Sequence, residues 1–407
     1  AVGCGNIWRF PRIAAKYGGS TFIIAWLIAL FVWSLPILMM EMAMGKSTRK
    51  GPVGAFAIFL GKKFAWMGSW VACVTLAICF YYSVVAGWCL KYVSLFLMGL
   101  PKQSSAKLWE QFTSGNEPII YHIIALIIGA SIVLFGVCKG IEKANKIFLP
   151  LLFAFLLFLA CKAITMPGGK DGVYYFLLRF NFQDFQNPAL WLEAFAQSAW
   201  STGAGWGLWL TYSVYAKNES NTCKSSLLVG LGNNVASILA GLVVIPTIFA
   251  TVSSVAERTT ILTSNNQGLT FIHLVALFKK LPGGNITALL FFTALFLAAL
   301  SSLLALLELG VRVLMDTGMT RFKSVFLIAI IALIGGIPSS INMKTFASQD
   351  WVWGVGLLVS GLFFALAAIL KGIEKVRQNY LFTDDKGLWW KCFISIIPFI
   401  CTGLLVW

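Results

Sequence analysis

Charge is what this sequence has least of. Of its 407 residues, 11% are Asp, Glu, Lys or Arg and 59% are hydrophobic. A soluble domain carries about 25% charged residues, so composition alone makes this a membrane protein. Acidic residues are scarcer than basic ones, 15 against 31, for a formal net charge of +16. The excess does not point to nucleic acid, because the basic residues gather in alternate loops. Lys46, Arg49, Lys50, Lys62 and Lys63 share one; Lys139, Lys143, Lys146, Lys217, Lys224, Arg321, Lys323, Lys371, Lys375 and Arg377 fall in others. This positive-inside pattern predicts that those loops are cytoplasmic and that the chain is a multi-pass protein of the cell membrane. Only two histidines occur, His122 and His273, far apart, with no His-Glu-x-x-His. The nine cysteines include no Cys-x-x-Cys, so neither a zinc site nor a disulfide framework is expected. Gly45-Lys46-Ser47 ends like a P-loop, but Met40 stands where the leading glycine belongs. No nucleophile–base set is visible, which disfavours an intramembrane enzyme. No loop is long enough to be a soluble domain.

Long apolar runs are abundant. A bilayer-spanning helix needs about 20 mostly apolar residues. Such runs are Thr21–Gly45, Ala65–Leu100, Pro118–Phe135, Ala144–Thr165, Leu190–Ala216, Ser225–Val255, Ile286–Met315, Phe322–Pro338, Trp351–Leu370 and Leu388–Trp407. A broken first helix makes eleven. Its break is written in Ala1-Val2-Gly3-Cys4-Gly5-Asn6, where each glycine costs a helix interior about 1 kcal/mol. Broken backbone survives in a bilayer only where protein or a wet cavity satisfies it. Trp200-Ser201-Thr202-Gly203-Ala204-Gly205-Trp206-Gly207 reads as a second break. Taken alone, that cluster reads sooner as a helix-packing surface. Two interrupted helices at corresponding places point to an inverted repeat with a site at mid-membrane. The expected organisation is one transmembrane domain, 1–407. Residues 1–165 form the first repeat with its amino terminus missing, 190–375 the second, and 388–407 an additional helix. The loop Ala256–Leu281 turns from polar to semi-apolar and is expected to fold back as a cover. Broken helices expose N–H groups at one end and carbonyls at the other, which suits a zwitterion and a cation. Glu41, amid Met39, Met40 and Met42, would cost about 2.5–3.5 kcal/mol at a helix centre. It is therefore expected to brace broken backbone rather than relay protons.

The run Gly5-Asn6-Ile7-Trp8-Arg9-Phe10-Pro11, with Gly18-Gly19 and Glu41-Met42-Ala43-Met44-Gly45 beyond it, resembles the sodium-coupled neurotransmitter and amino-acid symporters. The resemblance extends to about Lys375. It implies an all-α polytopic membrane fold: the leucine-transporter-type inverted repeat of two five-helix halves, with helices 1 and 6 broken and an eleventh helix added. It implies a first sodium held by the Ala1 carbonyl, Asn6, Ser201, Asn233 and the substrate carboxylate. It implies a second held by the Val2 and Ala298 carbonyls and the Ser301 and Ser302 hydroxyls. All are neutral oxygens, apt for a weakly held hard cation, where a carboxylate cage would suit calcium better. Read singly, the residues keep ordinary alternatives: serines bonded back along their helix, Asn233 as interhelical glue, Asn6 as a cap and Tyr82 as a buried aromatic.

Biogenic-amine members place an aspartate where Gly3 stands, so the resemblance implies a substrate that brings its own carboxylate, an amino acid. Tyr82 would bond that carboxylate beside Gly3, Cys4, Gly5, Ser201 and Ser302, with Trp200 as an aromatic lid. Ile78, Gly203, Trp206, Leu303 and Leu306 would line the side-chain pocket. Trp206 and Leu303 are bulkier than the leucine transporter's residues, and Gly203 and Ala204 smaller, so an apolar side chain is implied and no more. Arg9 and Asp350 match the outer gate. Asp316 and Tyr215 match the inner gate, whose arginine would precede residue 1. Gly140 and Pro150 match the spacing of an unwinding motif, or bound an ordinary kink. Gln197, Ser201, Asn233 and Ser237 match four chloride ligands of animal members, with Trp26 at the fifth, tyrosine, position. Ser237 stands where the leucine transporter has a glutamate, so chloride is expected to support transport. The short cysteine-free loop Pro101–Glu117 resembles prokaryotic members, which implies a prokaryotic inner membrane. The function expected is inward symport of sodium, two ions in all, and an apolar amino acid by alternating access. The rivals are a sodium-independent or proton-coupled exchanger on the same fold, and a membrane amino-acid sensor that does not transport.

Overall fold

The computed structural model describes residues 2–217 and 220–381. Ala1 and the expected last helix, 388–407, lie outside the described residues. Apolar composition makes the long helices, and no strand occurs among the described residues. In chain order they are α1 (Phe10–Lys16), α2 (Ser20–Thr48), α3 (Ala65–Leu97), α4 (Glu117–Leu134), α5 (Glu142–Thr165), α6 (Pro188–Thr202), α7 (Leu208–Ser213), α8 (Thr222–Thr251), α9 (Gly284–Asp316), α10 (Arg321–Ile341) and α11 (Met343–Lys371). Eight described helices are long and apolar enough to cross a membrane. α1, and α6 with α7, are the two interrupted ones.

The second interruption has a backbone cause. α6 starts on Pro188, with the Asn187 side chain accepting the Ala189 N–H at 3.0 Å. It ends because Gly203 turns left-handed at φ 73°, followed by Gly205 at 86° and Gly207 at 74°. L-residues rarely adopt such angles, so alternate glycines let the chain leave the helix and re-enter it at Leu208. At the first interruption, Val2 and Gly3 are non-helical and a π-turn spans Gly5–Arg9 before α1.

α3 and α9 run through the middle, packed along each other, with α4, α5, α7 and α10 also against α9. α2 meets α7 closely enough that a Cβ at Gly45 would lie 2.0 Å from the Leu210 carbonyl oxygen. The loop after α8 folds back as helices Val255–Thr263 and Leu274–Lys280 around a π-turn. Its Phe271 is fully buried, stacked on Trp109 at 4.8 Å and edge-on to Trp8 at 6.3 Å.

α5 runs on through Pro150, preceded by a π-turn over Val137–Ile141 that contains Gly140. Gly140 also has a packing reason: a Cβ there would lie 2.1 Å from the Ile132 carbonyl oxygen. One expected span is corrected. α11 begins at Met343, not Trp351, because Asn342 caps it by accepting the Lys344 N–H at 2.8 Å. Asp350 therefore sits within the helix and not at a loop end.

Candidate site at the helix breaks

The two interruptions face one cavity. Gly3 and Gly5 from the first, Ser201 and Gly203 from the second, Tyr82 from α3, and Ser302 and Leu306 from α9 all line it, with Trp200 and Trp206. The Cys4 N–H, freed by the break, donates to Tyr82 Oη at 3.0 Å. A Cβ on Gly3 would lie 3.1 Å from Ser302 Oγ and 3.3 Å from Tyr82 Oη. Glycine thus keeps a space lined by an N–H end and two hydroxyls, where a carboxylate could be received.

Directly beside it, Ser301 Oγ donates to the Val2 carbonyl at 3.0 Å and to the Ala298 carbonyl at 3.1 Å. Three oxygens of the proposed second-sodium set therefore touch, and Ser302, one residue on, turns to the cavity. Of the first-sodium set, Asn6 Nδ2 donates to Asn233 Oδ1 at 3.2 Å, and Asn6 Oδ1 is buried without a protein partner. A buried, unsatisfied amide oxygen is costly, and a cation is one way to satisfy it. Ser201 Oγ instead donates to the Ser198 carbonyl at 3.2 Å. Ala1 falls outside the described residues.

The residues matched to chloride are all buried apart from solvent. Gln197 Nε2 donates to the Gly5 carbonyl at 3.3 Å, while Gln197 Oε1 and Trp26 Nε1 have no protein partner. Asn233 Nδ2 donates to the Val229 carbonyl at 3.0 Å, and Ser237 Oγ to the Asn233 carbonyl at 3.3 Å. The Trp26 ring packs on Phe10 at 4.4 Å.

Two substrate assignments are corrected, and at a third only the backbone takes part. Leu303 is fully buried but faces α4, 3.3 Å from where a Gly129 Cβ would be. It follows Ser302 by one position, a rotation of about 100° around the helix, so the two cannot share a face. Ile78 is buried outside the cavity wall. Cys4 offers only its backbone, its thiol turning to the Leu295 carbonyl. Thr202, Leu208, Trp209, Tyr212 and Ala305 line the cavity instead. Ala305 was legible, lying three residues after Ser302 on the same helix face. The others depend on how α7 re-enters after the break.

The outer gate pairing is also corrected. Arg9 Nη2 meets Glu193 Oε2 at 3.0 Å, with its guanidinium 6.0 Å from the Trp200 ring centroid. Asp350 is an electrostatic neighbour of Arg9 and Arg12 and lies beside Tyr81, without an ion pair to Arg9. Glu193 precedes Trp200 by two helical turns, which sets its carboxylate on the lid's own face. At the other end, Asp316 Oδ1 accepts from Arg312 Nη2 at 2.7 Å, and Asp316 Oδ2 from the Gly51 N–H at 2.6 Å. Arg312 also lies 5.6 Å from the Tyr215 ring, so it joins the two residues assigned to the inner gate. Tyr215 Oη donates to Glu308 Oε1 at 2.9 Å, and Arg321 pairs with Glu308. Glu308 was not foreseen; its signal was a lone carboxylate in an apolar helix.

Glu41 is completely buried. Its Oε1 accepts the Gly205 N–H at 2.7 Å, and Oε2 accepts those of Trp209 at 3.1 Å and Leu210 at 3.4 Å. One carboxylate thus satisfies N–H groups on both sides of the second break.

The family described as the sodium:neurotransmitter symporter family matches residues 1–117 and 110–406. An uncharacterised sodium-dependent transporter of Methanocaldococcus jannaschii is 30% identical, over all of this chain and 86% of its own length. The mouse sodium- and chloride-dependent neutral and basic amino acid transporter B(0+) is 22% identical over all of this chain and 76% of its own. The crystal structure of MhsT in complex with L-phenylalanine superposes with a TM-score of 0.88 at 27% identity, covering all of this chain and 96% of that one. Two broken helices around a shared cavity, neutral oxygens clustered beside it and a match from end to end have one reading: the chain belongs to the sodium:neurotransmitter symporter family of sodium-coupled membrane transporters.

Proposed function

We propose that the protein carries sodium and an amino acid with an apolar side chain into the cell by alternating access, the repeats 1–165 and 190–375 moving around the central cavity. The observation that carries this reading is the junction at the first break. There the Cys4 N–H, Tyr82 and Ser302 surround the space at Gly3, and the Val2, Ala298 and Ser301 oxygens cluster next to it. The substrate's carboxylate is received at Gly3 and Tyr82, its amine by carbonyls freed at the breaks. Sodium, the co-transported ion, is held by Asn6, Asn233, Ser201 and the Ala1 carbonyl at one place, and by Val2, Ala298, Ser301 and Ser302 at another. Its charge offsets the carboxylate in a low-dielectric interior. A sodium entering down about 100 mV releases about 2.3 kcal/mol, and a tenfold gradient adds about 1.4. Two ions give about 7 kcal/mol, enough for about 10⁵-fold accumulation. The basic loops face the cytoplasm in this reading, across a prokaryotic inner membrane.

Counterflow of labelled amino acids into proteoliposomes tests it, and sodium-dependent exchange is expected. Exchange indifferent to sodium would favour the exchanger, and binding without exchange the sensor. Asn6→Ala and Asn233→Ala should each raise the sodium concentration needed for substrate binding at least severalfold. Unchanged sodium dependence in both variants would remove these residues from the site.

Chloride is proposed as a third ion. The buried Trp26 N–H lacks a protein acceptor, no carboxylate stands at Ser237, and Gln197 and Asn233 join the same corner to the sodium residues. An anion there compensates sodium as a fixed carboxylate would. Replacing chloride with gluconate at constant sodium should slow uptake, and Ser237→Glu should abolish that sensitivity. Equal uptake in the two anions by the unmutated protein would reject the site.

A further inference from the structure

A second hollow opens on the side of the helix bundle, between α4 and α10, with a volume of about 300 Å³. Ile127, Ala130 and Leu134 line it from α4, and Phe322, Phe326 and Ala329 from α10. Small residues, Ala130 and Ser131 on one helix and Ala329 on the other, leave the room that larger neighbours wall in. Ile127 is 60% exposed, Phe326 62% and Phe322 67%, so the hollow opens sideways, where these helices meet hydrocarbon. Water does not suit it. A buried water needs two to four polar partners, and Ser131 is the one polar side chain in the lining. At about 1.5 Å per helical residue, the lining from Leu134 to Ile123, and from Phe322 to Leu333, is about 16 Å long. One leaflet of the hydrocarbon core is about 15 Å deep. The groove therefore has the length of one lipid tail.

Its end at Leu134 and Phe322 is basic. There the two helices are tied: Arg321 Nε donates to the Val133 carbonyl at 3.0 Å, and a Cβ on Gly136 would lie 3.9 Å from that nitrogen. Arg321 is committed to this carbonyl and to Glu308. Lys139 and Lys323, close to the tie in sequence, are exposed and have no ion-pair partner among the described residues. No Asp or Glu occurs in 131–141 or in 317–330. Glu142, the next acidic residue after Lys139, is paired with Lys146 at 2.8 Å. Positive charge thus stands uncompensated where the groove reaches the level of the headgroups. Lipid tails are as apolar as leucine, so moving a tail from bulk lipid into the groove gains little by itself. The charge at the mouth selects which lipid stays.

We propose that the groove between α4 and α10 holds one acyl chain of an anionic phospholipid of the cytoplasmic leaflet, with its phosphate at Lys139 and Lys323. The choice of leaflet rests on the orientation proposed above; the site itself does not. α4 belongs to the first repeat and α10 to the second, so the bound chain touches both sides of the seam between them.

The test uses the full chain purified in mild detergent, without sodium or amino acid, so that its outcome is independent of transport. The probes are phosphatidylglycerol and phosphatidylcholine with the same acyl chains. Native mass spectrometry should show one tightly held phospholipid per protein, and phosphatidylglycerol should bind at least about tenfold more tightly than phosphatidylcholine. Lys139→Gln and Lys323→Gln should each weaken phosphatidylglycerol about fivefold and leave phosphatidylcholine unchanged. Both lysines are exposed, so these variants fold whatever becomes of the next one. Ala329→Phe, which fills the groove, should remove the tight binding of either lipid. Equal affinity for the two lipids in the unmutated protein would overturn the anionic headgroup. An undiminished preference for phosphatidylglycerol in the variant lacking both lysines would overturn its place at this mouth. A dimer that Ala329→Phe converts to monomers would put a second copy of the chain in the groove and overturn the lipid.

Discussion

Glu41→Ala is expected to cost more than any substitution at the cavity wall. The carboxylate accepts three backbone N–H groups, from Gly205, Trp209 and Leu210, across the interrupted second helix. These donors have no helical acceptor, because Gly203, Gly205 and Gly207 carry the chain out of the helix. Leaving a buried donor unsatisfied costs about 1–3 kcal/mol, so the loss of three amounts to several kcal/mol. The folded monomer in detergent should melt about 10 °C lower or fail to accumulate. Glu41→Gln keeps one acceptor oxygen and should fall between. A Glu41→Ala protein that melts with the unmutated one would show that these N–H groups are satisfied some other way.

The second large effect is expected at Glu308. Its side chain is 0% exposed and is paired with Arg321, which is 20% exposed. Tyr215 adds a hydrogen bond at 2.9 Å, and Arg321 Nε also donates to the Val133 carbonyl at 3.0 Å. Breaking a buried pair by removing one partner costs about 3–5 kcal/mol, because a charge stays buried unpaired. The two single variants should differ. Arg321→Met strands a fully buried carboxylate and leaves the Val133 carbonyl without its donor. Glu308→Met leaves an arginine that still reaches that carbonyl and some solvent. The Glu308→Met, Arg321→Met double variant should recover part of the stability lost by Arg321→Met alone, since an apolar pair of similar size is often no worse than a buried ion pair. Thermal melting of the four proteins makes the cycle. An additive double variant would mean the two side chains act independently.

Several elements were legible from residues alone. The second break follows from three alternate glycines, each of which adopts positive φ. Glu41 announced itself by being charged among methionines. Ser301 and Val2, nearly three hundred positions apart, were joined only by family resemblance, and their contact is present at 3.0 Å. Other assignments failed for identifiable reasons. Arg9 was assigned to Asp350 and meets Glu193, because a long cation chooses among carboxylates by distances no local pattern encodes. Leu303 was placed in the pocket although helical rotation sets it a quarter turn away from Ser302.

By itself, then, the sequence determined the class of molecule, its apolar runs and its two breaks. These follow from hydropathy, glycine's backbone freedom and the cost of burying charge, which are properties of a residue and its near neighbours. Only the tertiary structure decided which carboxylate holds Arg9 and which faces of α9 and α7 meet the cavity. Those depend on where helices far apart in sequence come to rest against one another, and close packing turns small differences in that placement into a different partner or a different volume.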